Sequence, residues 1–327
     1  MYGLRSIPAI LQIIDWMQEY SPNAWMINYS NTIAIVAEAC RRLRPGAKVI
    51  NICDMPIDDM DRMAAICGLN SWHDIDFNYY GLNHFGWWKE VGNKKTGEDL
   101  MPKLKEYVKD HGYWVGGDYD KDTEASWEAT FKKVADDYKM DPETLLNNYM
   151  QYYYFPQYEV ANADPKHTRT DEIREHRQKI VFGECERIVK AGTAKDNIWD
   201  ISGLHSEYIV DIIHAIAYNT HEKFLANCEN NGAIANMDPD SIVEVPALFG
   251  ADGIQPMATG KAGRFQRGLM MEQQTCEKLV VDAYVEHSYQ KMLQAFALNK
   301  TVPDASVAKK ILDDMIPVNA PYWPELK

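Results

Sequence analysis

Three apolar runs in this sequence end in side chains able to do chemistry. "AKVINICD" ends in Cys53 and Asp54, "DIDFNYYGLNH" in Asn83 and His84, and "AWMINYSN" in the stretch Asn28 to Asn31. A thiolate and an imidazole both bind divalent ions well, so Cys53 and His84 on neighbouring strand ends are able to share one. Asp54 is then either a ligand or a general acid. Each residue also has an ordinary structural reading. A cysteine at a strand end serves as a small buried hydrophobe, and a histidine near Trp87 and Trp88 as a packed, hydrogen-bonded ring. Asp54 before Pro56, and Asn31 before "TIAIV", are able to cap helices. The aromatic run "NNYMQYYYFPQY" reads as core and rim packing.

These residues need elements to position them. "IPAILQIIDWMQEYSP" has helical apolar spacing and stops at Ser-Pro. "AWMINYS" reads as a buried strand and "AIVAEACRRLRPG" as a helix stopped by Pro-Gly. "AKVINIC" is a strand, "IDDMDRMAAICGL" a helix closed by Gly68, and "DIDFNYYGLNH" a strand. The α-β-α-β-α-β order predicts a parallel sheet with right-handed crossovers. Ligands meet such sheets at the carboxyl ends of strands. Beyond it, "DTEASWEATFKKVADDYKMDPETLLNNYMQYYYF", Thr170 to Ala191, "SEYIVDIIHAIAYN" and Phe265 to Ile316 read as mostly helical, the last with breaks near Ser288 and Pro303. "KFLANC" and "SIVEVPALF" read as strands. The expected fold is α/β. Residues 1–80 form the second half of a Rossmann-like parallel sheet, and residues 81–327 a larger, helix-rich mixed domain for catalysis, substrate and oligomer contacts. A dinucleotide-binding sheet normally opens with strand, glycine-rich turn and helix. No GxGxxG occurs in the sequence, so the expectation is a sheet without its cofactor-holding first half.

Composition narrows the partners. The chain has 327 residues and a formal net charge of -14. A nucleic acid or an anionic membrane needs clustered Lys and Arg, and is not expected. A small phosphorylated ligand needs only one or two well-placed Arg. The six cysteines show no CxxC pair, which reads as reduced thiols in the cytoplasm. No apolar run reaches spanning length.

Taken together, the motifs "NYSN", "NICDMP", "YGLNHFGWW", "LMPKL", "NNYMQYYYFPQY" and "KTVPDASVAKKILDD" resemble those of the NAD- and metal-dependent glycoside hydrolases of family 4. The Cys-Asp-Met-Pro form is similar to the branch that cleaves 6-phospho-α-glucosides. The likeness runs the length of the chain and implies a C-terminal architecture like that of lactate and malate dehydrogenases. It also implies an exception to the two-carboxylate scheme of most glycosidases: NAD+ takes hydride from C3 of the sugar, a base removes the acidified C2 proton, the glycosidic bond eliminates, water adds, and hydride returns. On this resemblance Cys53 and His84 are metal ligands, Asp54 is the general acid and Tyr149 the base at C2. Asn31 binds a substrate hydroxyl and Arg169 the substrate, at its phosphate. The family implies Mn2+, although thiolate and imidazole by softness would suit Zn2+ or Fe2+. It also implies a homo-oligomer, a dimer or tetramer. Two departures stand out. Thr32 replaces the family's Pro, which loosens Asn31. The missing glycine turn leads to the expectation that this chain by itself does not turn over, or is a non-catalytic remnant. A dehydrogenase of the lactate/malate type is the other enzyme reading, and Cys53 argues against it.

Overall fold

The structure, a computed structural model, describes residues 1–121, 123–192 and 199–327. Two short strands, β1 (Met26–Asn28) and β2 (Val49–Asn51), pair in parallel with Asn28 opposite Asn51. Helices α1 (Tyr2–Tyr20), α2 (Ile33–Leu43) and α3 (Met55–Cys67) alternate with them. The periodicity explains α1: Leu4, Ile7, Leu11 and Ile14 recur at helical spacing and are buried, while Trp16 and Tyr20 face out. Gly68 closes α3 in the left-handed conformation, φ 77°.

The third expected strand departs from the parallel reading. β3 (Ile75–Leu82) does not join β2. It forms a hairpin with β4 (Phe85–Asn93), and its other neighbour is antiparallel. The sheet is completed by β5 (Leu145–Leu146), β6 (Glu222–Glu229), β7 (Ile242–Gly250) and β8 (Gly253–Pro256). Its order is β1-β2-β6-β7-β3-β4-β5, with β8 on β7. Among the described residues only β1 and β2 pair in parallel; every other pairing between these strands is antiparallel. Local alternation of helix and strand could not reveal this. β3 has a hairpin partner a turn away, and closing a two-residue turn is cheaper than a crossover.

Side chains alternate across the sheet. Ile75, Phe77, Tyr79 and Trp88 lie in one cluster with residues of α3, of α4 (Met101–His111) and of α5 (Ala125–Met140). Tyr80, Leu82 and Trp87 lie in another. The expected helical tract after Asp122 is interrupted at Asp141 and resumes as a 3-10 turn at Asn148–Met150 and a short α6 (Gln151–Tyr154). Further on come α7 (Pro156–Asn162), α8 (Arg169–Glu172), a π-helical stretch Ile173–Arg177 and α9 (Gln178–Ala191). Then follow α10 (Trp199–Tyr218), α11 (Arg264–Glu286), α12 (Tyr289–Leu298) and α13 (Ala305–Asn319). Residues of α10 join the α3 cluster, and Leu269 and Met270 of α11 the other, so helices cover both faces.

Candidate active site

Two residues, Asn83 and His84, connect β3 to β4, and this tight turn aims the imidazole. Leu82 pairs with Phe85, and His84 takes the left-handed conformation with φ 61°. A residue with a Cβ costs about 1–3 kcal/mol there. The hairpin over-determines it: a Cβ on Gly81 would lie 2.4 Å from the Gly86 Cα, so the two backbones approach as only glycines allow.

Cys53 arrives from the parallel pair. The Ile52 N–H donates to the Asn28 carbonyl at 3.1 Å, so pairing with β1 continues to the residue before the thiol. Cys53 Sγ lies 3.3 Å from His84 Nε2. Two donors to one ion, with bonds of about 2.3 Å for sulfur and about 2.1 Å for nitrogen, stand roughly 3–3.6 Å apart, so the pair suits a shared divalent ion. The protonation states agree. Burial pushes the His84 imidazole down to about 4, leaving it neutral with a lone pair to give. Burial, then the negative charges of Glu244 and Asp54, push the Cys53 thiol well above its ordinary value. Ionising it calls for a nearby cation. Among the described residues no cluster of three or more His, Cys, Asp or Glu side chains is placed to hold an ion.

Asp54 opens α3, yet its side chain makes no cap bond. It turns instead to His205 of α10, whose Nδ1 it contacts as an ion pair, and it accepts a hydrogen bond from Tyr29. Burial raises the Asp54 carboxyl, but His205 and Tyr29 outweigh it and hold it below the usual carboxylate range. The same hydrogen bond raises His205. The carboxylate thus faces a proton-bearing imidazole, 4.0 Å from Cys53 Sγ at its Oδ1. Neither His205 nor Tyr29 stands out in the sequence. His205 lies far along the chain in an amphipathic helix, and Tyr29 reads as part of a strand end.

Tyr149 meets the thiol–imidazole pair directly. The Asn147 side chain accepts from the Tyr149 N–H at 3.0 Å and starts the 3-10 turn. That turn lays the ring on His84, centroids 4.5 Å apart. Its hydroxyl is pushed up first by burial and then by Cys53 and Tyr152. Trp127 lies beyond, 6.2 Å from Tyr149, and Arg169 stacks over Trp127 at 5.5 Å. Arg169 donates to Glu124 at 2.8 Å and pairs with Glu172. It is therefore one aromatic ring removed from the Tyr149–His84 pair. Asn31 is exposed at the entry to α2, and its carbonyl accepts from Ser6 Oγ at 3.2 Å. The helix cap there is Thr32, again without a side-chain cap bond. Ile33, two residues on, packs with Cys53 and Met55, which sets this turn on the wall of the site.

One further group lies beneath. Glu244 is fully buried in the middle of β7 and accepts from Asn227 at 2.8 Å, Tyr79 at 3.1 Å and Asn83 at 3.4 Å. The signal for it was in the sequence: a lone carboxylate inside the apolar run "SIVEVPALF" has to be buried with partners.

This geometry has counterparts. The chain is 59% identical over 326 residues to 6-phospho-alpha-glucosidase 1 of Lacticaseibacillus paracasei, covering 100% of this chain and 73% of that protein. It superposes with a TM-score of 0.94 on a crystal structure of a 6-phospho-alpha-glucosidase from gut microorganisms in complex with NAD and Mn2+, at 43% identity over 100% of this chain and 74% of the other. A second such structure, in complex with NAD and glucose-6-phosphate, also gives 0.94, at 41% identity over 100% and 73%. Residues 1–69 match the Family 4 glycosyl hydrolase family, and residues 79–302 match its companion, the Family 4 glycosyl hydrolase C-terminal domain. With the thiol–imidazole pair, the adjoining carboxylate and the stacked tyrosine in place, the chain belongs to the family 4 glycosyl hydrolases.

Proposed function

We propose that this chain carries the metal and acid–base site for hydrolysing α-glucosidic bonds of 6-phosphorylated sugars of the maltose 6-phosphate type. The observation that carries the reading is the 3.3 Å approach of Cys53 Sγ to His84 Nε2 with Tyr149 on the imidazole. The names of similar proteins supply the substrate class. When bound, NAD supplies a hydride acceptor and a divalent ion, Mn2+ by likeness, supplies polarisation of the sugar oxygens. Cys53 and His84 would hold the ion. The sequence contains no glycine-rich turn of the kind that holds a pyrophosphate, so no residue is assigned to the dinucleotide.

The remaining roles fall to this chain's own side chains. Tyr149 takes the C2 proton at its phenolate oxygen. Its raised pKa suits a resting neutral phenol, and a cation at its neighbours eases the loss of the phenol proton. Asp54 relays to the leaving oxygen the proton that His205 bears across their ion pair. Asn31 holds a sugar hydroxyl. Arg169 reads the 6-phosphate, exchanging a carboxylate partner for a phosphate. The Asp54–His205 pair is the one observation favouring a lactate/malate-type dehydrogenase, which uses such a pair; Cys53 against His84 has no place in that reading.

A division near residue 80 is supported by the two family matches, which end at 69 and resume at 79. A homo-oligomer is supported by Val210, Ile213 and Tyr218, exposed on α10. The cytoplasm is supported by cysteines that are all free among the described residues. No described helix is long and apolar enough to cross a membrane. Titration calorimetry tests the substrate class. With Mn2+ present, glucose 6-phosphate should bind more tightly than glucose, and Cys53→Ser should remove the Mn2+ dependence. Equal binding of the two sugars overturns the proposal.

A further inference from the structure

A row of buried polar side chains crosses the sheet at one level. Asn28 of β1 is opposite Asn51 of β2, Asn51 is opposite Asn227 of β6, Asn227 is opposite Glu244 of β7, and Glu244 is opposite Gly81 of β3. The asparagines and Glu244 are each at most 7% exposed. Asn28 Nδ2 donates to Asn51 Oδ1 at 2.8 Å, and Asn227 Nδ2 donates to Glu244 Oε1 at 2.8 Å. The row ends at the metal pair. Asn83 Nδ2 donates to the same Glu244 Oε1 at 3.4 Å, and the Asn83 side chain also hydrogen-bonds Cys53. An amide nitrogen has two hydrogens, so Asn83 is able to link the carboxylate to the thiol. His84 is the next residue. Tyr79 OH closes the other oxygen, Oε2, at 3.1 Å.

A fully buried carboxylate is expensive unless it is held by donors. Here three donors hold it, and none is a cation. An apolar residue in β7 would pack without that cost. The arrangement makes sense beside a cationic site, where a buried negative charge offsets the charge of the ion and an outer partner fixes ligand orientation. We propose that Glu244 is the positioning residue of the Cys53–His84 pair: it fixes Asn83, and through Asn83 the thiol and the turn that carries the imidazole. The proposal rests on the reading of Cys53 and His84 as ligands of a divalent ion.

The test is Mn2+ binding to the full chain, followed by the electron spin resonance of free Mn2+, with thermal unfolding measured in parallel. Glu244→Gln keeps shape and an acceptor but removes the charge. It should weaken Mn2+ binding roughly 10–100-fold and shrink the rise in melting temperature that Mn2+ gives, while the metal-free melting temperature stays near wild type. Unchanged Mn2+ affinity overturns the proposal. A lower metal-free melting temperature with the full Mn2+ effect also overturns it, because the row would then only hold strands together. Should Glu244→Gln not fold, Tyr79→Phe keeps the ring and removes only the donor to Oε2. It should give a loss of Mn2+ affinity on the order of tenfold, and no loss overturns the proposal equally. If wild type fails to bind Mn2+, or Cys53→Ser binds it as well as wild type, the metal reading itself falls and this inference with it.

Discussion

The Tyr149 ring rests on the His84 imidazole, centroids 4.5 Å apart and planes inclined by 59°. The two rings share one contact, so whatever orients the imidazole also orients the phenol. Tyr149→Phe keeps the ring and the contact and removes only the oxygen. Exchange of the sugar C2 proton with deuterated solvent, measured in a complete enzyme that binds NAD and Mn2+ and carries this site, should slow by about 10²–10⁴. Sugar binding should change little. Unchanged exchange would move the role to Tyr152, whose ring lies 5.8 Å from Tyr149.

Cys53→Ser replaces the polarisable sulfur by a harder oxygen that resists ionisation. Cys53 is 4% exposed and packs on Ile33 and Met55, so the smaller side chain also leaves space. Mn2+ affinity should fall by more than the 10–100-fold typical of an outer-partner mutation. An equilibrium dialysis isotherm that matches wild type would rule Cys53 out as a ligand.

Asp54→Asn should discriminate between leaving groups. A nitrophenolate departs without a proton, whereas the second sugar of maltose 6-phosphate needs one. In the same complete enzyme the variant should lose about 10²–10⁴ in rate on maltose 6-phosphate and much less on a nitrophenyl 6-phospho-α-glucoside. Equal losses on both would assign Asp54 to holding His205 and α10 rather than to proton donation.

These predictions rest on residues of unequal visibility. Cys53 and His84 were legible because each ends an apolar run, and the structure brings those two ends within 3.3 Å of each other. The direction of β3 was not legible, since "DIDFNYYGLNH" reads alike in a parallel sheet and in a hairpin; only the two-residue gap before "FGWW" could have suggested the turn. His205 was hidden for another reason. It meets Asp54 across about half the chain, and no local pattern encodes a contact of that span. The cap reading of Asp54 failed because that long-range partner outcompetes the helix N-terminus for the carboxylate.

Arg169 should read the phosphate. Its guanidinium is held by Glu124 and Glu172, a fork already shaped for paired oxygens. Arg169→Ala should weaken glucose 6-phosphate by roughly 10–100-fold, the worth of about 1.5–3 kcal/mol for a charged hydrogen bond, and leave glucose almost untouched. Arg169→Lys should rescue little, because an ammonium lacks the planar fork. Parallel weakening of both sugars would show that Arg169 acts on the fold around Trp127 and not on the phosphate.

Glu277 gives a test of stability away from the site. It is 6% exposed on α11, with Gln273 Nε2 donating to it at 3.0 Å. Burial, reinforced by Glu38 and only partly opposed by Gln273, raises its carboxyl to about 8. The unfolded chain ionises this group near its ordinary ~4.3. The folded pKa is therefore the higher one. The contribution to stability is fully present below the unfolded value and is lost as pH rises through the folded value. Across about pH 5 to 8 the slope is up to ~1.4 kcal/mol per pH unit from this one group. Glu277→Gln cannot ionise, so its stability by urea unfolding should fall less steeply than wild type over that window and exceed it by pH 8. Asp137, also raised to about 8, leaves the variant a residual slope of the same sign. The informative quantity is thus the difference between the two proteins at each pH. A difference that does not grow between pH 5 and 8 would mean that Glu277 ionises as freely in the folded chain as in the unfolded one.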